Sequence, residues 1–186
     1  MEQPMMKHDT GRVAFGGVLA ALCVVCLFLT NLVPVASYAL PALAGVVIMV
    51  AVVELGRRWA LAVYAVSSLL SLLLVSDLEA KLVFVLFFGY YAVLKSVFES
   101  LHRPNFCRAA KFAVFNAAVI AAYFLAVQVF GLPMDEFQLF GINLPLVFLV
   151  LANVVFVVFD IAMTRLATVY ILRYREQIAK TFRFTK

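Results

Sequence analysis

The chain has 186 residues, 66% of them hydrophobic and only 13% charged, with a mean hydropathy of +1.08 and a formal charge of +5. A water-soluble domain carries about 25% charged residues, so this inventory excludes one and leaves an integral membrane protein embedded in a lipid bilayer. The basic residues lie mostly beside apolar runs, where they set topology, which excludes nucleic acid as the partner they serve.

About 20 apolar residues cross the hydrocarbon core as a helix, and six stretches qualify in chain order. Span one covers residues 12–33. It lacks a small-residue cleavage site and reads as retained rather than as a signal peptide. It holds "GGVLAAL", in which Gly16 and Ala20, and likewise Gly17 and Ala21, are four apart. Residues at that spacing lie one above the other on a helix, so the two columns form a strip with almost no side chain. Cys23 and Cys26 have redox or metal-like spacing. No His or second Cys pair lies near them in sequence, and they read as small packing residues.

Pro34 and Pro41 bracket "VASYAL", a turn or re-entrant segment that includes Tyr38, because the residue before a proline avoids the helical region. Span two covers residues 39–55 and span three residues 59–75, with Arg57 and Arg58 between them. Span four covers residues 80–98, span five 109–130 and span six 143–172, and residues 173–186 form a basic tail. The runs are continuously apolar rather than alternating, so the fold class is all-α, a polytopic six-transmembrane-helix bundle, and not a barrel. No linker is visible, and the chain reads as one integral membrane domain.

Alternate connections differ in charge. Lys7 and Arg12, Arg57 and Arg58, Arg103, Arg108 and Lys111, and the tail carry the basic residues. "TNLVPVASY", "SDLEAK" and "LPMDEFQLFGIN" carry one Lys in all. The positive-inside rule then puts both termini in the cytoplasm.

Polar residues within spans are costly and therefore informative. Toward the cytoplasm lie Glu54, Lys95, Glu99, Asn116, Asp160, Thr164 and Arg165, and Asn153 shares one face of span six with Asp160 and Thr164. They read as an interhelical clasp of Lys95, Asn116, Asn153 and Asp160, with Asp160 reaching Asn116 or Lys95. A proton relay through Asp160 is the functional counterpart. Toward the outside lie Asn31, Ser37, Tyr38, Ser71, Tyr90, Tyr91, Tyr123, Gln128, Gln138 and Asn143, with Ser67 and Ser68 nearby. Neutral amides, hydroxyls and phenols beside proline-interrupted loops suit a planar, largely uncharged small molecule. Packing is the alternative role for each of them. No catalytic constellation, metal site or cofactor motif is present. Asp77 with Glu79, and Asp135 with Glu136, read as solvated loop acids.

Six spans in under 200 residues, cytoplasmic termini, "GRVAFGGVLAALCVV" in the first helix and the proline-rich loop before "LPALAGVVIMVAVVELG" resemble the substrate-binding S component of energy-coupling factor (ECF) vitamin transporters. The resemblance implies a multi-pass protein of a bacterial plasma membrane. It implies that a small-residue pattern on the first helix docks on a transmembrane coupling subunit, and that a pair of ATPases powers uptake of a vitamin-like substrate. By position the docking pattern falls on Gly16 and Ala20, with Gly17 and Ala21 adjacent, and Gly stands where the family usually has Ala. The chain is also similar in size and topology to the rod-shape scaffold protein MreD, which would make the outer polar group packing and give the chain no transport activity.

Overall fold

The computed structural model describes residues 5–33, 36–101, 104–128, 138–139 and 142–174. An apolar run in lipid must satisfy each backbone N–H and C=O within its own segment, and a helix does so. Six helices form among the described residues. Helix α1 spans Met5–Phe28 and tightens into a 3-10 turn at Leu29–Asn31. Helix α2 spans Ala39–Leu55 and α3 spans Arg57–Leu74. Helix α4 runs unbroken through Leu78–Val83, a π turn at Phe84–Phe88, and Gly89–Glu99. Helix α5 spans Pro104–Gln128. A two-residue ladder follows, β1 (Gln138–Leu139) antiparallel to β2 (Ile142–Asn143). Helix α6 spans Leu144–Val169 and ends in a π turn at Tyr170–Tyr174.

Four helical stretches among the described residues are long and apolar enough to cross a membrane: Thr10–Asn31, Arg57–Leu74, Leu78–Glu99 and Leu149–Arg173. Helix α2 is apolar but only 17 residues long, about 25 Å at the helical rise against a hydrocarbon core of about 30 Å. The expected ends of the spans shift where capping chemistry outweighs hydropathy. Helix α4 starts at Leu78 rather than Ala80 because the Asp77 carboxylate accepts from the Ala80 N–H (3.1 Å) as its N-cap. Helix α5 starts at Pro104 rather than Ala109, since proline at a first helical position lacks only an N–H with no intrahelical partner. Gly56 alone joins α2 to α3, at φ 88° and ψ 168°. Only glycine adopts that region readily, so Arg57 and Arg58 open α3 instead of forming a loop.

The chain divides into two compact units, although no linker is visible in its sequence. The first comprises Met1–Ser96 with Met163–Lys186. Here α1, α2 and α3 pack mutually, and α2 also meets the π turn of α4. Its core holds Cys23 and Leu27 of α1, Ala44, Ile48 and Ala51 of α2, Ala60 and Val63 of α3, and Phe84 and Tyr91 of α4. Lipid is as apolar as leucine, so close van der Waals contact, not exclusion of water, holds such helices together. Small residues permit that contact. A Cβ on Gly45 would stand 2.8 Å from the Phe88 carbonyl oxygen, which fixes how closely α2 approaches the π turn. Near the end of α6, the Tyr170 hydroxyl donates to Glu54 (3.1 Å).

The second unit is Val97–Ala162. Phe156 of α6 stacks on Phe115 of α5 at 4.5 Å and meets Phe112 edge-on at 5.3 Å. The Cys107 thiol donates to the Phe98 carbonyl (2.8 Å), tying the start of α5 to the end of α4. Val150, Val154, Val158 and Ile161 of α6 are exposed, as suits a face turned to lipid.

Candidate functional site

Three arrangements collect the residues singled out in the sequence. The first joins the Asn31–Tyr38 connection to the turn between α3 and α4, within the first unit. Asn31 Oδ1 accepts from the backbone N–H groups of Ser76 (3.0 Å) and Asp77 (3.2 Å). Ser37 donates to Asp77 Oδ2 (2.6 Å), and the Tyr38 hydroxyl donates to Glu79 Oε2 (3.1 Å). Lys81 Nζ donates to the Val75 carbonyl (3.2 Å). Asp77 and Glu79 are therefore not merely solvated loop acids; they are the acceptors of this latch. A polar residue just before an apolar run signals an N-cap, and Asp77 carries that signal in the sequence.

Tyr38 is 60% exposed as a residue, yet its hydroxyl sits among these acids. Partial burial first, and the neighbouring Glu79 and Asp77 charges next, push the phenol up to about 12.

The other outer candidates are held within the helices. Ser71 is fully buried and donates to the Ser68 carbonyl (2.8 Å). Tyr91 is fully buried with its ring 4.8 Å from that of Phe87. Tyr90 meets Tyr64 edge-on at 6.0 Å. The side chains of Tyr123, Gln128 and Asn143 lie outside the described residues. Nothing in the sequence marks Tyr64. Its hydroxyl donates to the Val85 carbonyl in the π turn (2.7 Å), and a Cβ on Gly89 would stand 2.5 Å from its ring.

The second arrangement lies in the second unit. Lys111, expected only as a loop charge, is 8% exposed on α5. Its ammonium donates to Glu99 Oε1 (3.0 Å) and to both Asp160 oxygens (3.2 and 3.3 Å). Asn116 and Asn153 form a reciprocal amide pair (3.1 and 3.0 Å). Each also donates to a carbonyl four residues earlier on its own helix, Phe112 and Leu149 respectively. The described contacts thus pair amide with amide, Asn116 with Asn153, and ammonium with carboxylate, Lys111 with Asp160 and Glu99. Lys95 is buried and belongs to the first unit. The contacts named here join polar side chains at the end of α4, on α5 and on α6.

The third arrangement is the small-residue strip of α1, whose two columns differ in burial. Gly16 is buried: a Cβ there would meet Val63 at 3.4 Å and Leu55 at 3.7 Å. Ala20 is buried beneath it on the same face. That column lets α1 approach α2 and α3. Gly17 and Ala21, offset by about 100° on the helix, are exposed, and a Cβ on Gly17 would meet nothing within 4 Å. Cys23 continues the inner column, fully buried, with its thiol 3.5 Å from the Ala44 carbonyl.

No family model, curated protein or solved structure matches this chain.

Proposed function

We propose that the chain is a six-span, multi-pass binding subunit of a bacterial plasma membrane, with both termini in the cytoplasm. It captures a small, vitamin-like molecule at its outer face and delivers it to a separate energising module, as an ECF S component does. The observation that carries this reading is the division of labour on α1. One small-residue column is consumed by the chain's own packing, and the second, Gly17 with Ala21, stays bare and open. A bare column lets a foreign helix come close, and a transmembrane coupling subunit with its ATPase pair is the partner this reading supplies. The latch of Asn31, Ser37 and Tyr38 onto the Asp77 turn supports a closable outer loop. Native mass spectrometry of the purified protein tests capture: a co-purified small molecule supports it, and a persistently empty protein counts against it.

An MreD-like scaffold is the second reading. It is favoured by the internal engagement of Asn31, Ser71 and Tyr91, which leaves those side chains occupied by the fold itself. On that reading the bare column of α1 meets a structural partner and no small molecule is carried.

A further inference from the structure

Three arginines gather at one end of the first unit. Asn31 at the end of α1 accepts from the N–H groups of Ser76 and Asp77, just past the end of α3. Nearer the start of both helices, Gly16 faces Val63. The two contacts set α1 and α3 parallel and in one register. One turn before Gly16 and Val63, that register puts Arg12 level with Arg57, Arg58 and Trp59. Packed helices stand about 8–10 Å apart, a gap that two arginine side chains close from either side. Thr10–Asn31 and Arg57–Leu74 are each long and apolar enough to cross a membrane. The arginines therefore lie in the first turn of both stretches, beside the single tryptophan of the chain, a residue enriched at headgroup depth.

Their charge is not neutralised by the described residues. Arg12 and Arg58 are exposed, and among the described residues neither has an ion-pair or hydrogen-bond partner. Arg57 donates to Ser96 Oγ (3.0 Å) and to the Ser96 carbonyl (2.6 Å), both neutral groups. Glu54, three residues before Arg57, accepts from Tyr170 instead. Like charges held this close repel unless a counter-charge joins them. The backbone between α2 and α3 leaves room for one, since a Cβ on Gly56 would meet nothing within 4 Å. Leu61, Ala65, Leu69 and Leu72 are exposed on the same face of α3 as Arg58. A cationic head thus stands over an apolar stripe, which is the complement of a lipid with an anionic headgroup.

We propose that Arg12 and Arg58 together hold the phosphate of an anionic phospholipid, with an acyl chain along Leu61, Leu69 and Leu72 of α3. A guanidinium fork matches phosphate oxygens with two parallel hydrogen bonds. A zwitterionic lipid offers the same phosphate but carries its own ammonium, so the net attraction falls on anionic lipid. The positive-inside rule counts basic residues near span ends; this site requires two particular ones, brought level by the packing of α1 on α3. It is independent of small-molecule capture.

The test uses nanodiscs with equal parts of phosphatidylglycerol and phosphatidylcholine, and native mass spectrometry of the released protein reads the lipid it keeps. Wild type retains phosphatidylglycerol in preference. One arginine near an anionic surface is worth about fivefold in binding, so Arg12→Gln or Arg58→Gln lowers the preference by about that factor and the double variant by about 25-fold. Arg108→Gln removes the same charge from an exposed position in the second unit and keeps the wild-type preference. In nanodiscs of phosphatidylcholine alone, the double variant melts with wild type. Wild-type preference in the double variant overturns the proposal, and so does an equal loss in Arg108→Gln, which would make the effect one of total charge. A double variant that melts lower in phosphatidylcholine also overturns it, since the arginines would then serve the fold. Displacement of the retained lipid by millimolar glycerol phosphate overturns it in favour of a soluble phosphate ligand.

Discussion

Lys111 Nζ lies 3.2 Å from Asp160 Oδ1 and 3.0 Å from Glu99 Oε1, so one ammonium serves two carboxylates. Removing the cation leaves the Asp160 carboxylate, whose side chain is only 25% exposed, without this partner. Breaking a buried pair from one side costs about 3 kcal/mol, while replacing both members with apolar groups is near neutral. Lys111→Met should therefore lower stability by about that amount, and Lys111→Met with Asp160→Leu should recover most of it. Reversible unfolding in mixed micelles measures the difference. Equal loss in the single and double variants would contradict the ion-pair account.

The Asn116–Asn153 pair should couple more weakly. Interhelical side-chain hydrogen bonds in membranes average about 0.6 kcal/mol, because the separated helices find other partners. Each amide here also keeps a carbonyl on its own helix. A double-mutant cycle with Asn116→Ala and Asn153→Ala should give a coupling of about that size. A coupling indistinguishable from zero would remove the pair from the account of the fold.

Gly56 should not tolerate a side chain, for conformational rather than steric reasons. A Cβ there meets nothing within 4 Å, yet φ is +88°. Holding a non-glycine residue in that region costs on the order of 1–3 kcal/mol, so Gly56→Ala should lower the melting temperature with no change in ligand or partner binding. An unchanged melting temperature would mean that the α2–α3 junction relaxes freely.

The Tyr38 phenol should ionise late. Its folded value of about 12 lies above the ordinary 10. The stability contributed by this raised group is fully present below pH 10 and is lost as pH rises from there through about 12, so the latch to Glu79 is intact at physiological pH. Difference absorbance of tyrosinate, wild type minus Tyr38→Phe, should show a midpoint above 10. A midpoint at or below that value would place the phenol in open water.

The helices were legible because lipid leaves an apolar run no other backbone solution. Their ends were less so, since Asp77 as an N-cap and Pro104 as a first helical residue outweigh hydropathy. The polar partners were the least legible. Hydropathy and depth place Asn116 and Asp160 at one level, but which side chain meets which depends on how α5 and α6 are rotated. That rotation is set by Phe115 and Phe156, whose stacking leaves no trace in residue spacing. The α1 strip was seen as one surface because both columns are equally bare in sequence. Only the positions of Val63 and Leu55 against Gly16 separate the inner column from the outer one.

The most direct measurement of the central claim compares bulky substitutions in the two columns of α1, with the chain co-expressed beside an ECF coupling subunit and its ATPase pair. Gly17→Leu and Ala21→Leu should leave the thermal stability of the isolated protein at wild-type level and abolish its co-purification with the module. Gly16→Leu should instead destabilise the isolated protein, because the added side chain enters the contact with Val63 and Leu55. Undiminished co-purification of Gly17→Leu and Ala21→Leu would contradict the account.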